Sequence, residues 1–189
     1  MVKHLIYAVI SAALTVPAAL SAQEKPQLAT SAEAKMLADF DARVKAYASL
    51  RDKVDGGAAR QTQTKEPEKL EAQRHALAAN IQKARAGAKP GDIFTPDIQP
   101  FFKRLLKPAI KGTDGAENAK TIKEEKPVVA LKVNVPYPGT QPLSTVPPDV
   151  LLQLPKLPDD LQYRFIQKHL ILLDTRASLI VDYILNAIP

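Results

Sequence analysis

The chain contains three histidines, His4, His75 and His169, and no cysteine. A Ser-His-Asp hydrolase needs an imidazole base beside its nucleophile. His4 falls in a segment that reads as an export signal. His75 lies five residues after Leu70 and two before Leu77, at the edge of an apolar helical stripe. A packed or solvated helix residue is the plainer reading there. His169 sits beside Lys168 at an expected hairpin tip, where a surface histidine is the plainer reading. No Gly-x-Ser-x-Gly elbow is present. The seven glycines are scattered, with neither dinucleotide-binding nor P-loop spacing.

Paired carboxylates are the other route to general acid–base chemistry. Asp159-Asp160 and Glu124-Glu125 are the adjacent acidic pairs. Asp159-Asp160 follows Pro158 and precedes an expected strand, where aspartates commonly shape turns. Asp92 stands between Pro90-Gly91 and Ile93-Phe94. Its carboxylate suits a free N–H in that corner, and its functional alternative is a ligand-contacting acid in a cleft. Asp159 shares that alternative. Asp174 and Asp182 flank the last expected turn and read as cross-strand surface positions. These carboxylates supply too few ligands for a metal site, and no metal or other cofactor is expected.

Lys103, Arg104, Lys107 and Lys111 form a basic cluster interleaved with Phe101, Phe102, Leu105 and Leu106. Basic residues beside an apolar stripe can bind anionic membrane surfaces or acidic polymers. The plainer reading is a short amphipathic helix with a solvated basic face. No nucleic-acid recognition motif is present, and none is expected as a partner.

These residues sit in a chain of 189 residues, 20.6 kDa, with a formal charge of +6. Residues 1–22 run from a short basic start through an apolar stretch, Leu5 to Val16, to small residues, the pattern of a signal peptide. Cleavage after Ala19 or after Ala22 fits. The alternative is an uncleaved N-terminal membrane anchor, since Leu5 to Ala22 approaches spanning length. No later stretch does, so no transmembrane span is expected after cleavage. Removal of the signal leaves a chain of net charge +5, apolar enough for a modest core. The absence of cysteine excludes disulfides, Cys-ligated zinc, iron–sulfur clusters and a thiol nucleophile.

The elements that must position these groups follow from periodicity. Leu37, Phe40, Val44, Tyr47, Leu50 and Val54 share one helical face, capped by Ser31 and stopped by Gly56-Gly57. After a polar stretch, Pro67 opens a second helix carrying Leu70, Leu77, Ile81, Ala84 and Ala88, which ends near Ala88 before Pro90-Gly91. The two suggest an antiparallel hairpin. A third helix, capped by Thr95 or Asp97, carries the basic cluster and is expected to terminate at Pro108. Residues 111–127 read as polar linker. Val129, Leu131, Val133 and Val135 alternate as a strand. Residues 127–158 hold eight of the sixteen prolines and should be extended, apart from a helical turn at Pro148–Leu154. The last 29 residues read as a three-stranded antiparallel meander broken at Gln167-Lys168 and at Thr175–Ser178. Its second and third strands are apolar on both faces and need cover on both.

Several stretches together, Gly91-Asp92-Ile93-Phe94-Thr95-Pro96, Val146-Pro147-Pro148, Leu154-Pro155-Lys156-Leu157-Pro158 and Leu179-Ile180-Val181-Asp182-Tyr183-Ile184, resemble a group of uncharacterised exported bacterial proteins. The likeness spans most of 33–189. It implies export and this layout, and no chemistry. The last hairpin also resembles that of small periplasmic proteins linked to nickel and cobalt homeostasis. Those carry a Gly-containing turn and many histidines, so no metal role is carried across.

The expected fold class is α+β: an N-terminal helical hairpin plus a third helix, a proline-rich connection, and a small C-terminal antiparallel β-meander. The expected segments are a signal peptide at 1–22, a helical region at 23–111, a linker with one strand at 112–147, and a short helix and meander at 148–189. The expected function is an exported, non-enzymatic, envelope-associated binding module, in the periplasm or secreted, whose partner is an envelope protein or an anionic envelope polymer. The alternatives are a small periplasmic enzyme or ligand binder using Asp92 and Asp159, and a chaperone-like helical hairpin.

Overall fold

Phe40, Val44 and Tyr47 repeat at helical spacing, and all three are buried on one face of α1 (Ser31–Val54). The structure is a computed structural model that describes residues 31–55, 66–111, 115–124, 131–138, 140–141 and 146–189. The expected signal peptide, the Gly56-Gly57 stop and Val129 lie outside the described residues. Pro67 stands at the first position of α2 (Pro67–Ala84), where its missing N–H costs nothing. Asn80 Nδ2 donates to the Val54 carbonyl at 3.2 Å, and Arg85 lies over the Tyr47 ring at 5.0 Å. Advancing along α2 therefore retraces α1, which makes the pair antiparallel. α2 ends at Ala84 rather than near Ala88. The reason lies at Arg85, which leaves the helix to bond Asn134 Oδ1 at 2.8 Å while covering Tyr47.

α3 (Gln99–Lys111) runs through Pro108 instead of ending there. Proline removes a helical hydrogen bond and crowds the carbonyl four residues back. Beyond it Ile110 is buried, and that burial offsets the local cost. The segment expected to be linker carries a fourth helix, α4 (Gly115–Glu124). It buries Gly115, Asn118 and Ile122, so its inward face contains one large apolar side chain, Ile122. A Cβ at Gly115 would overlap the Ile110 carbonyl, so glycine permits the close α3–α4 junction. Asn118 Nδ2 donates to the Ala109 carbonyl at 2.8 Å and to Asp149 Oδ2 at 2.6 Å, fastening α4 to α3 and to α5 (Pro148–Leu152).

Of the described part of the strand expected at 129–135, Val135 alone is strand, in β1 (Val135–Pro136), and residues 131–134 are not. Asn134 takes φ 60°, and its side-chain amide donates to the Arg85 carbonyl at 2.7 Å. That left-handed residue interrupts the extended run. The meander is present as β2 (Leu161–Ile166), β3 (His169–Asp174) and β4 (Leu179–Ile184). The antiparallel sheet has the order β1-β4-β3-β2. The fold is α+β, with the sheet at the C-terminal end. Neither hairpin turn contains glycine, and Gln167 (φ 54°) and Ser178 (φ 49°) take the positive angles instead.

A bulge in β4 organises the core. Leu172 pairs with Asp182 but Leu173 pairs with Ile180, so Val181 is the extra residue. The inserted residue turns Asp182 to the same face as Val181, toward the helices. On that face Leu170, Leu172, Leu179, Val181 and Ile184 pack with Phe40, Phe94 and Phe102. The Phe94 and Phe102 rings meet edge-on at 5.1 Å. On the opposite face Tyr137, Ile166, Ile171, Leu173 and Ile180 form a smaller cluster, with Leu131 and Tyr183 against it. Both faces are covered, as the apolar strands require.

Asp174 and Asp182 are not surface residues. Both are fully buried. Asp182 accepts from the backbone N–H of Gly91 (3.0 Å), Ile93 (2.8 Å), Phe94 (2.8 Å) and Tyr183 (2.8 Å). Asp174 accepts from Tyr47 Oη (2.9 Å) and from the N–H of Arg176 (2.9 Å) and Ala177 (3.0 Å). Arg51, 4% exposed, lies 3.6 Å from Asp174 Oδ2. Burial lowers the Arg51 pKa, but Asp174, with Asp52 and Asp160, outweighs it and the net shift is upward. Burial, reinforced by Asp174, raises the Tyr47 pKa far above that of a free phenol.

Candidate functional site

Lys103, Lys107 and Lys111 are spaced four residues apart, which keeps them on one side of α3. At 1.5 Å per residue they span about 12 Å. Leu106 and Ile110 repeat with the same step on the adjoining face, and both are buried. A groove of about 310 Å³ runs between this side of α3 and the C-terminal segment Asn186–Pro189. Its apolar lining is Leu106, Ile110, Ala187, Ile188 and the exposed Pro189, with the exposed Asn186 beside them. Its basic lining is Lys103, Lys107, Lys111 and, from the turn between β2 and β3, Lys168.

The C-terminal segment is held in place by backbone bonds. The N–H groups of Ala187 (2.9 Å) and Ile188 (3.3 Å) both donate to the Lys168 carbonyl. The Asn186 N–H donates to His169 Nδ1 at 3.0 Å. Asn186 has φ 50°, a left-handed turn that brings the segment back across the sheet end. Partial burial and the neighbouring Lys168 charge lower the His169 pKa, which keeps Nδ1 available as an acceptor.

All four lysines are exposed, and among the described residues none has a carboxylate within ion-pair distance. Four like charges around an apolar depression create a local positive potential suited to an anion.

Arg104 belongs to a different surface. It lies one residue, about 100° of helix rotation, from Lys103. Its guanidinium pairs with Glu33 on α1 and lies 5.2 Å from the Phe101 ring centroid. The expected cluster thus divides: three members line the groove and Arg104 fastens α3 to α1.

Asp92 is exposed at the corner between α2 and α3. Its Oδ2 accepts from the Lys89 N–H at 2.8 Å, and its carbonyl accepts from Arg43 at 2.9 Å. Asp159 is exposed before β2, and its carbonyl accepts from Arg51 at 3.5 Å. Neither lines the lysine groove or a second cleft, about 380 Å³, beside Leu154–Leu157 and β2. His75 is exposed on α2. Among the described residues no group of three or more His, Asp or Glu is placed to hold a metal ion, and no helix is long and apolar enough to cross a membrane.

Sequence reasoning missed Lys168, Ala187 and Ile188. Lys168 lay in a two-residue break already recognised as a hairpin turn. Its distance in sequence from α3 concealed that the turn and the helix share a groove. No family model, characterised protein or solved structure matches the chain.

Proposed function

We propose that the protein is an exported, non-enzymatic binding module of the cell envelope that receives an anionic envelope component at the groove between α3 and the C-terminal segment. The observation that carries this reading is the convergence of four lysines from two elements on one apolar depression, with no carboxylate partner among the described residues. A cluster of unpaired like charges is held at a cost in self-repulsion that an anionic partner relieves. The signal-like residues 1–22 support export to the compartment where such partners reside.

The test is a triple charge reversal, Lys103→Glu with Lys107→Glu and Lys168→Glu, followed by envelope fractionation. The expected result is loss of envelope association with an unchanged far-UV circular dichroism spectrum. Unchanged association would overturn the reading. Mass spectrometry of the same fractions reads the N-terminus: a start at Leu20 or Gln23 supports export with cleavage, and an intact Met1 in the membrane fraction supports an anchor.

A further inference from the structure

We infer that the groove holds a linear acidic polysaccharide, laid along α3 with its carboxylates on the lysines and a sugar ring against Asn186 and Pro189. This inference rests on the anionic-component reading and narrows it to one chemical class.

What a ligand can touch decides the choice. The apolar lining other than Pro189 is 0–7% exposed, so it supports the walls and offers almost no contact surface. The exposed lining is Lys103, Lys107 and Lys111 on the α3 wall, with Lys168, Asn186 and Pro189 on the facing wall.

The positive charge is drawn out in a line. Successive lysines of α3 rise about 6 Å along the axis and rotate by about 40° per step. A compact anion such as phosphate meets one or two of them and leaves the others repelling one another. A chain with repeated anionic groups meets each in turn, the arrangement by which lysine clusters bind acidic glycans. A polymer with one carboxylate per sugar ring has a charge repeat close to the lysine step. Inorganic polyphosphate packs its charges far more densely, so most of them would find no lysine.

The uncharged part of the exposed lining favours a sugar as well. The Asn186 backbone N–H is held by His169, and its side chain makes no hydrogen bond among the described residues. An amide side chain offers both donors and an acceptor. Sugar hydroxyls donate and accept, so they satisfy both ends of it, whereas polyphosphate only accepts. The Pro189 ring is an exposed apolar surface for the C–H face of a sugar ring, which polyphosphate lacks.

The test titrates the purified, cell-processed protein by calorimetry with hexagalacturonate, galacturonate monomer, neutral maltohexaose and linear hexaphosphate. Expected is saturable binding of hexagalacturonate that weakens with added salt, and binding of the monomer weaker by about a hundredfold or more. Maltohexaose should not bind, and hexaphosphate should bind more weakly than hexagalacturonate. Lys107→Glu combined with Lys168→Glu should weaken hexagalacturonate binding by about tenfold or more. Both positions are exposed, so this variant keeps the fold. Asn186→Gly suits the left-handed backbone there, and it should cost hexagalacturonate about threefold while leaving hexaphosphate unchanged. Monomer binding as tight as the hexamer's would overturn the linear polymer. Hexaphosphate binding as tight as hexagalacturonate's, or an Asn186→Gly loss equal for both, would overturn the sugar. Failure of all four probes would overturn the inference outright, while the fractionation result decides the broader reading independently.

Discussion

The Tyr47 hydroxyl donates to Asp174 Oδ2 at 2.9 Å, joining α1 to the end of β3 across 127 positions of sequence. Arg51, one turn further along α1, reaches the same oxygen at 3.6 Å. Asp174 spends its other oxygen on the N–H groups of Arg176 and Ala177, which shape the β3–β4 turn. One carboxylate thus fixes both a hairpin and the helix packed on it. That hairpin continues into β4, whose end leads to the groove.

Tyr47→Phe removes one hydrogen bond to a charged acceptor and keeps the ring. Its expected cost is about 1.5–3 kcal/mol. Asp174→Ala leaves a buried guanidinium short of its main partner and two turn N–H groups unmet. Arg51 retains Asp52 at 3.1 Å, so the expected cost is near the lower end of about 3–5 kcal/mol. Urea unfolding of both variants checks the order. Equal losses would mean that Arg51 and the turn draw nothing from Asp174.

Asp182→Asn tests the bulge. The carboxylate serves four N–H groups with two oxygens, and an amide offers one oxygen and turns a donor toward donors. The Ile93 and Phe94 N–H groups are buried, and each unmet donor costs about 1–3 kcal/mol. The expected loss exceeds about 2 kcal/mol. Hydrogen exchange should quicken first at residues 91–94. A uniform change across the chain would count against a local anchoring role.

The sequence exposed the large apolar repeats and hid what depends on single polar residues. Phe40, Val44 and Tyr47 announced α1, and the apolar runs from Leu170 and Leu179 announced β3 and β4. The lysine face of α3 was visible because three lysines at a four-residue step must share a side. Helix α4 was not, because its inward stripe is Gly115, Asn118 and Ile122. The burial of Asp174 and Asp182 was not, because their partners lie on α1 and in the 91–94 corner. The strand expected at 129–135 failed at Asn134, whose positive φ serves a tertiary contact with Arg85. Lys168 joined the site only once β2 and β3 were paired and their turn was set against α3.

Pro108→Ala should stabilise the protein. A proline inside a helix costs up to about 3 kcal/mol relative to alanine. Part of that is returned because proline restricts the unfolded chain, an effect of about 0.4–1 kcal/mol. The expected gain is about 1–2 kcal/mol by thermal or urea unfolding. A loss would show that α3 has adapted to the proline so completely that alanine no longer fits its path.

His169 gives the groove a pH dependence. Its folded pKa lies below the ordinary value of about 6.5, because burial and Lys168 disfavour the charged ring. Between the folded and unfolded values the unfolded chain binds more protons, so stability rises with pH there. The stabilisation is fully present above about pH 6.5 and is lost as pH falls through the unfolded value toward the folded one. Protonation also ends acceptance of the Asn186 N–H at Nδ1, since an imidazolium has only donors. Acidification should therefore loosen the C-terminal wall of the groove while the core stays folded. Amide NMR of Asn186, Ala187 and Ile188 should titrate with the His169 ring. In His169→Asn, whose side-chain oxygen can take the same N–H without titrating in this range, those amides should stay still. Amides that continue to shift in that variant would assign the transition to another group and remove His169 from the wall.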